Sequence, residues 1–322
     1  MTAAGWCRLL GLALFLASAP HGTAQTWPQR TVKIVMPLPA GTGADAALRV
    51  YAERLSQIWG QPVIVENRPG AEGVIAVSSF VKARDDHMLL YSYGGPITIS
   101  PIVTKDLPYD PAKDLVPITV ATENVLGIAV TASLPFADLK GFETYARSNA
   151  GKVNWTATSG LPQFVFASFQ KNQSLDMVYV PYKDVGSALQ DLTTGRIDAY
   201  VTGLGTFRPL LQSGAAKLLA VLNRQRFPGV GDIPTVAESG YPEIGGDGFN
   251  GFFGNSDILP AVRDRIAADV RAIAADPQVR ERLAALSQLP RAGGPEDFAR
   301  MIDAQRRQIA EIVRVVGAIP GL

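Results

Sequence analysis

Cysteine and histidine are nearly missing from this chain: its 322 residues include one Cys, at position 7, and two His, at 21 and 87. A zinc site built from Cys and His, or a disulfide framework, needs more of both. An excess of one charge is missing too. Thirty Lys and Arg stand against 29 Asp and Glu, so no global field attracts nucleic acid or an anionic membrane. An anion recognised here has to be held locally. No apolar run reaches the length of a membrane span, and no tract is biased enough in composition to resist packing. What is present is a globular composition, 47% apolar and 18% charged, in a length that suggests two domains with sizeable cores.

Residues 1–24 hold one charge, Arg8, then an apolar run over 9–17 and a small-residue stretch ending Gly22-Thr23-Ala24. This is the layout of a secretory signal peptide, and the run is well short of the roughly 20 residues that span a bilayer. Cys7 precedes the run, whereas a lipid-anchoring cysteine would follow it. Cleavage after Ala24 would leave 298 residues with no Cys, 29 charges of each sign and His87 as the one histidine. The expected mature protein is exported and soluble. Cys–His catalysis is then excluded, and a Ser-His-Asp triad would have to use His87. That residue closes Arg84-Asp85-Asp86-His87, which reads as an exposed surface turn before an apolar strand over 88–91.

A β-branched run over 31–36 leads into Pro37, Pro39 and small residues at 40–43. A helical pattern follows, with Leu48, Tyr51, Leu55 and Ile58 on one face, closed by Gly60. Strands are predicted over 63–65 and 88–93, with a small-residue helix to about residue 82 between them. The pattern then restarts, with strands over 128–131, 153–157, 177–180, 197–201 and 217–222 and helices over 136–148, 164–171 and 184–194. After a glycine-rich stretch at 245–254 the chain reads as purely helical, over 261–275, 277–286 and 295–316. The last helix carries Phe298, Ile302, Ile309 and Ile312 on one stripe, with Pro295 in its first turn. Alternating strands and helices predict parallel sheets covered on both faces. The closing helices, lacking strands of their own, are expected to cover the sheet of the first domain. The predicted architecture is α/β, with one domain over 25–125 and 248–322 and a second over 126–247. Two crossings between domains, near 125 and 247, suggest a hinged clamp.

Ligands of such sheets collect at the carboxyl ends of strands, where helix N-termini expose unpaired N–H groups. Small residues stand at four such ends, around 41–43, 71–73, 93–95 and 158–160. They suit close ligand approach and an ordinary tight turn alike. Each hydrogen bond to a charged group contributes roughly 1.5–3 kcal/mol. Three or four of them reach the approximately −8 kcal/mol of a micromolar complex before ordering costs. Backbone alone can therefore hold a carboxylate-sized anion. The run Gly41-Thr42-Gly43-Ala44-Asp45-Ala46 also fits the G-x-G-x-x-A dinucleotide fingerprint, with Glu66 as the ribose-binding acid. The motif is weak, and free dinucleotides are not expected where an exported protein works. No cofactor, metal site or catalytic residue is predicted.

The segments Trp27-Pro28, IVMPLPAGTGAD (34–45), GQPVIVENRPGAEG (60–73), LPYDPAKDLVPIT (107–119), VPYKD (180–184) and DIPTVAESGYP (232–242) resemble the Bug family. These are extracytoplasmic solute-binding proteins associated with tripartite tricarboxylate transporters, and the resemblance runs from about Trp27 to the C-terminus. It implies a two-domain type II periplasmic-binding-protein fold with a hinge and an interdomain ligand cleft. It also implies a carboxylate-bearing small molecule as ligand, a periplasmic location, and membrane permease subunits or a sensor as partners. A monomer with no nucleic-acid partner is expected.

Carried over residue by residue, Ala40, Gly41, Thr42, Gly43 and Asp45 form the first loop, whose N–H groups would hold one carboxylate. On physical grounds Asp45 could instead cap the following helix. Ala71, Glu72, Tyr93 and Gly94 stand at the next strand ends. The opposite wall would come from Thr158, Ser159, Gly160 and Gln163, with Asp184 and Ser187 opening the next helix, and Thr202 and Phe249 complete the candidate set. Tyr109 and Asp110 match a family motif too, but read better as a turn before Pro111.

Four candidates depart from the family's habit. Glu72 stands in place of a usual glycine, Gln163 of a common histidine, Thr202 of a frequent acid and Phe249 of a common tryptophan. Like charges 4 Å apart cost about 4 kcal/mol at an effective dielectric of 20. Glu72 therefore either points to solvent or selects a ligand that carries an amine. The expected function is capture of a small organic carboxylate without catalysis. The alternatives are an exported enzyme acting on a small carboxylic acid and a dinucleotide-binding oxidoreductase.

Overall fold

The structure, a computed structural model, describes residues 27–317 apart from 183 and 292. The signal segment expected over 1–24 lies outside the described residues. The chain opens with β1 (Val32–Met36), α1 (Gly43–Trp59), β2 (Val63–Asn67), α2 (Val74–Ala83), β3 (Met88–Tyr93), two short helices α3 (Ser100–Val103) and α4 (Pro111–Asp114), and β4 (Leu115–Asn124). There follow β5 (Leu126–Thr131), α5 (Leu139–Ser148), β6 (Val153–Ala157), α6 (Leu161–Asn172), β7 (Met177–Tyr179), α7 (Val185–Thr194), β8 (Ala199–Gly203), α8 (Leu204–Ser213) and β9 (Ala216–Val221). It closes with β10 (Gly248–Asn255), α9 (Pro260–Ala275), α10 (Pro277–Ala285), β11 (Gln288–Pro290) and α11 (Pro295–Val316).

Six strands form one sheet in the order β11-β4-β10-β3-β1-β2, and five form a second in the order β7-β6-β8-β5-β9. Neither is the wholly parallel sheet expected. Strand β10 runs antiparallel to β3 and β4, and β5 antiparallel to β8 and β9. The physical reason is the crossing itself: β4 passes into β5 with a single residue between them, so a strand that leaves one sheet enters the other against its neighbours.

Three strands are hidden in the sequence: β4, β10 and the short β11, which pairs with β4 inside a stretch that reads as purely helical. Pro117 interrupts β4, where it lies at a register irregularity opposite Phe253 and no regular ladder needs its missing N–H. The glycine-rich stretch that reads as a linker is β10, a central strand. A Cβ on Gly251 would overlap the Phe298 ring of α11, and one on Gly254 would overlap Ile258. Its glycines thus mark where side chains pack directly on the strand.

Both faces of each sheet are covered. Leu48, Tyr51 and Leu55 of α1 pack with Ile266 and Val270 of α9 against one face of the first sheet, and the helical stripe continues to buried Trp59 while Ile58 is exposed. The other face gathers Phe80, Phe253, Phe298 and Ile302. Helix α11 does more than cover the first sheet, as the sequence suggests it should. Phe298 and Ile302 pack in that core, but Ile309 and Ile312, further along the same stripe, pack with Phe164 and Phe166 in the core of the second sheet.

Polar side chains pin the segments that join the two sheets. Asn223, fully buried, accepts the Leu126 N–H (2.9 Å) and donates to the Asn124 carbonyl (2.9 Å), one on each side of the first crossing. Gln305 and Gln308 of α11 donate to the carbonyls of Asp247 (3.1 Å) and Gly245 (2.7 Å) at the second.

His87 is not the exposed turn residue that its neighbours suggest. It is 5% exposed, with Nε2 accepting the Gln29 N–H (3.0 Å) and Nδ1 against Asp86 (2.8 Å). The segment leading into β1 covers it, with the Trp27 ring tilted against it at 5.8 Å between centroids. Arg30 pairs with both Asp85 and Asp86, so the Asp85-Asp86-His87 cluster is engaged within the protein. Among the described residues, no helix is long and apolar enough to cross a membrane.

Ile309 is fully buried, so Ile309→Ala should cost about 2–5 kcal/mol in urea unfolding. Val315→Ala on the same helix, at a position 36% exposed, should stay within about 0.5 kcal/mol.

Candidate ligand-binding cleft

A cavity of about 530 Å³ opens between the two sheets, a size suited to a small metabolite. One wall comes from the carboxyl ends of the first sheet's strands and the loops beyond them: Leu38 after β1, Glu72 after β2, and Tyr93 and Gly94 at the end of β3. The opposite wall comes from the second sheet, with Thr158, Ser159 and Gln163 around the start of α6, Tyr179 and Tyr182 after β7, Asp184 at the start of α7, and Tyr200 of β8. Asn124, Gly248, Phe249 and Gln305 lie where the crossings and α11 meet.

The beginning of α6 is the strongest donor array of the cleft. Gly160, at φ 96°, takes a left-handed conformation that glycine adopts without strain, and so turns β6 into the helix. The Thr158 N–H is engaged by the Val201 carbonyl (3.0 Å). Among the described residues, the N–H groups of Ser159, Gly160 and Leu161 meet no protein acceptor. Gln163 is 1% exposed and its Nε2 also lacks a partner. An amide donor buried in this way costs roughly 1–3 kcal/mol unless something in the cleft accepts from it.

The tyrosines add neutral donors. Burial pushes the Tyr200 hydroxyl up to about 12. Burial first, and then the Glu72 charge, raises Tyr93 and Tyr179. All three stay protonated near neutral pH. Asp184 is engaged elsewhere: its carboxylate accepts the Ser187 N–H (2.8 Å) and hydroxyl (2.9 Å), capping α7, and these bonds hold its pKa below the ordinary value.

Eight of the sequence candidates line the cleft together: Glu72, Tyr93, Gly94, Thr158, Ser159, Gln163, Asp184 and Phe249. Gly160 shapes the turn behind Ser159, and exposed Ala71 precedes Glu72 in a tight turn. Thr202 is buried within β8, paired with Gly127 of β5. The loop of Ala40, Gly41, Thr42 and Gly43 closes on itself outside the lining. Thr42, and not Asp45, is the residue that caps α1, its hydroxyl accepting the Asp45 N–H (3.2 Å). Glu66 pairs with Lys33 (2.9 Å) and Arg68 (2.6 Å), which leaves the ribose role of the dinucleotide reading without its acid. Tyr109 is buried with its hydroxyl on the Pro96 carbonyl, and Asp110 caps α4, as a turn role requires.

Sequence reasoning overlooks Tyr179, Tyr182, Tyr200 and Gln305. The rule of strand carboxyl ends would have found Tyr179. Gln305 carries its own signal, a polar residue between Ile302 and Ile309 on an otherwise apolar stripe.

Residues 47–318 match the family described as tripartite tricarboxylate transporter family receptor. A UPF0065 protein of Bordetella bronchiseptica is 30% identical over 313 residues, which is 97% of this chain and 93% of the relative. A solved structure of an R. palustris protein with adipate is similar at a TM-score of 0.82 and 26% identity, covering 91% of this chain and 99% of the other. The periplasmic binding protein BugD is similar at a TM-score of 0.77 and 26% identity, covering 90% and 99%.

Asp45 ties the loop before α1 to Arg49 and Asn67, outside the cleft lining, and gives the fold a pH dependence. Burial pushes its carboxyl up, but hydrogen bonds from Arg49, the Gly41 N–H and Asn67 outweigh that and hold it below the usual range. A carboxyl lowered in the native state contributes stability above its unfolded pKa, about 3.9, and loses it as pH falls through the native value. Asp45→Asn should therefore lose about 1–3 kcal/mol of stability at pH 7. Urea titrations at a series of pH values should show its gap to the parent narrowing below about pH 4.

Proposed function

The chain belongs to the family of tripartite tricarboxylate transporter receptors, and from that premise we propose that it captures a small organic carboxylate in the cleft between its two sheets. The observation that carries this reading is Gln163. A buried amide donor without a protein partner, beside the free N–H groups that open α6, is arranged to receive a carboxylate. Adipate in the R. palustris structure and the periplasmic description of BugD support the ligand class and a periplasmic location for this chain. Delivery to membrane permease subunits follows from the family, with a sensor as the alternative partner.

The working cycle is a hinge motion between a domain of residues 25–125 with 248–322 and a domain of residues 126–247. A ligand that touches both walls favours the closed form by its extra affinity for it. The family and its neighbours are binding proteins. In keeping with that, both nitrogens of His87 are engaged by Gln29 and Asp86, outside the cleft lining.

Isothermal titration against dicarboxylates of four to six carbons, with analysis of the recovered ligand, tests the reading. The expected result is one site per chain and unchanged ligand. Gln163→Leu should weaken binding about tenfold or more, as loss of a hydrogen bond to a charged group implies. Turnover of a bound ligand, or no binding by any carboxylate, overturns it.

A further inference from the structure

Glu72 is the cleft residue that a purely anionic ligand leaves without a role. It lies on the wall opposite α6, and its carboxylate makes no hydrogen bond or ion pair with the described residues; only its backbone carbonyl is engaged, by the Tyr93 hydroxyl (3.1 Å). Its backbone conformation sharpens the point. Ala71 and Glu72 stand at φ 45° and 53°, in the left-handed region that side chains rarely occupy and glycine takes freely. A charged side chain is thus kept at a strained position on the wall of a ligand cavity.

The charges of the cleft are one-sided. Asp184, the other acid of the lining, stays ionised but its carboxylate is taken up as the cap of α7, accepting from the Ser187 N–H and hydroxyl. Among the described residues, no Lys, Arg or His lines the cavity. The Glu72 carboxylate is close enough to Tyr93 on its own wall and Tyr179 on the other to raise both hydroxyls. A free carboxylate beside aromatic rings is an environment that favours an ammonium group. Across the cavity, unpartnered Gln163 and the start of α6 favour an anion.

We propose that the ligand is a small amino-carboxylate, held by its carboxylate at Gln163 and the beginning of α6 and by its ammonium group at Glu72. The proposal rests on the carboxylate reading above and narrows it to a zwitterion. A ligand of this kind puts opposite charge on each wall, whereas a dicarboxylate would set its second carboxylate against Glu72.

Titration calorimetry with pairs matched in carbon number tests it: 6-aminohexanoate against adipate and 4-aminobutanoate against succinate. In the full chain, at least one amino-carboxylate should bind about tenfold or more tightly than its dicarboxylate partner. Glu72→Gln should reduce that ratio about tenfold, and Glu72→Lys should reverse it. Gln163→Leu should weaken both members of a pair by a similar factor and leave the ratio in place. Circular dichroism and thermal unfolding check that each variant is folded. If the parent prefers the dicarboxylate in both pairs, or Glu72→Gln leaves the ratio unchanged, the zwitterion proposal falls while the carboxylate reading stands. If neither member of either pair binds and longer or shorter carboxylates also fail, both fall together.

Discussion

The arrangement depends on one helix that belongs to two cores. The apolar stripe of α11 begins with Phe298 and Ile302 against the first sheet and ends with Ile309 and Ile312 against α6 and the second. Gln305 sits between the two halves, accepting from Thr98, donating to the Asp247 carbonyl and reaching the cleft. A helix anchored at both ends cannot slide without opening one core or the other. Asn223, Gln305 and Gln308 hold the joining segments in the same short region, where the proposed hinge would turn. The cavity reaches that region through Asn124, Gly248 and Gln305, so in the proposed cycle a small rotation would change a ligand's contacts with both walls.

The chemistry of the cavity follows from the same geometry. Strand ends from two sheets face each other, and each brings the start of a helix or a tight turn rather than a long charged side chain. The groups this leaves for the proposed recognition are backbone N–H groups, one amide and several phenols that burial keeps protonated. Acidic side chains near helix starts serve the helices themselves, as Asp184 does for α7 and Asp45 for the loop before α1. Glu72 stands apart from this pattern: it lies two residues before α2, yet the start of that helix has no side-chain cap bond and the Glu72 carboxylate accepts none of its N–H groups.

Much of this was legible from residue order. The short β-branched and apolar runs at β1 and β3 and the helical stripes of α1 and α11 come from local burial, which sequence spacing reports directly. Strands β4 and β10 were not legible, because their proline and glycines answer to partners distant in sequence: Phe253 across the ladder, Phe298 on a helix some 50 residues on. The site divides in the same way. Residues at strand ends, such as Tyr93, Thr158 and Ser159, follow from topology. The loop around Gly41 looks identical in kind, yet its N–H at Gly41 is taken by Asp45, a bond that small-residue composition does not announce. His87 is not legible either, because polar neighbours suggest exposure while the segment that covers it lies 58 residues earlier, at Gln29.

The makeup of the α6 end also bears on how the protein meets its surroundings. Attraction between full charges in water is screened beyond about 8 Å at physiological salt, and it strengthens or fades as the medium is diluted or concentrated. Short hydrogen bonds from backbone and amide groups act at contact, inside that distance, and release no tightly held counterions when an anion arrives. With no cation among the described lining residues, the proposed grip on a carboxylate would be nearly indifferent to ionic strength. Such a grip would work alike in dilute and in saline fluid.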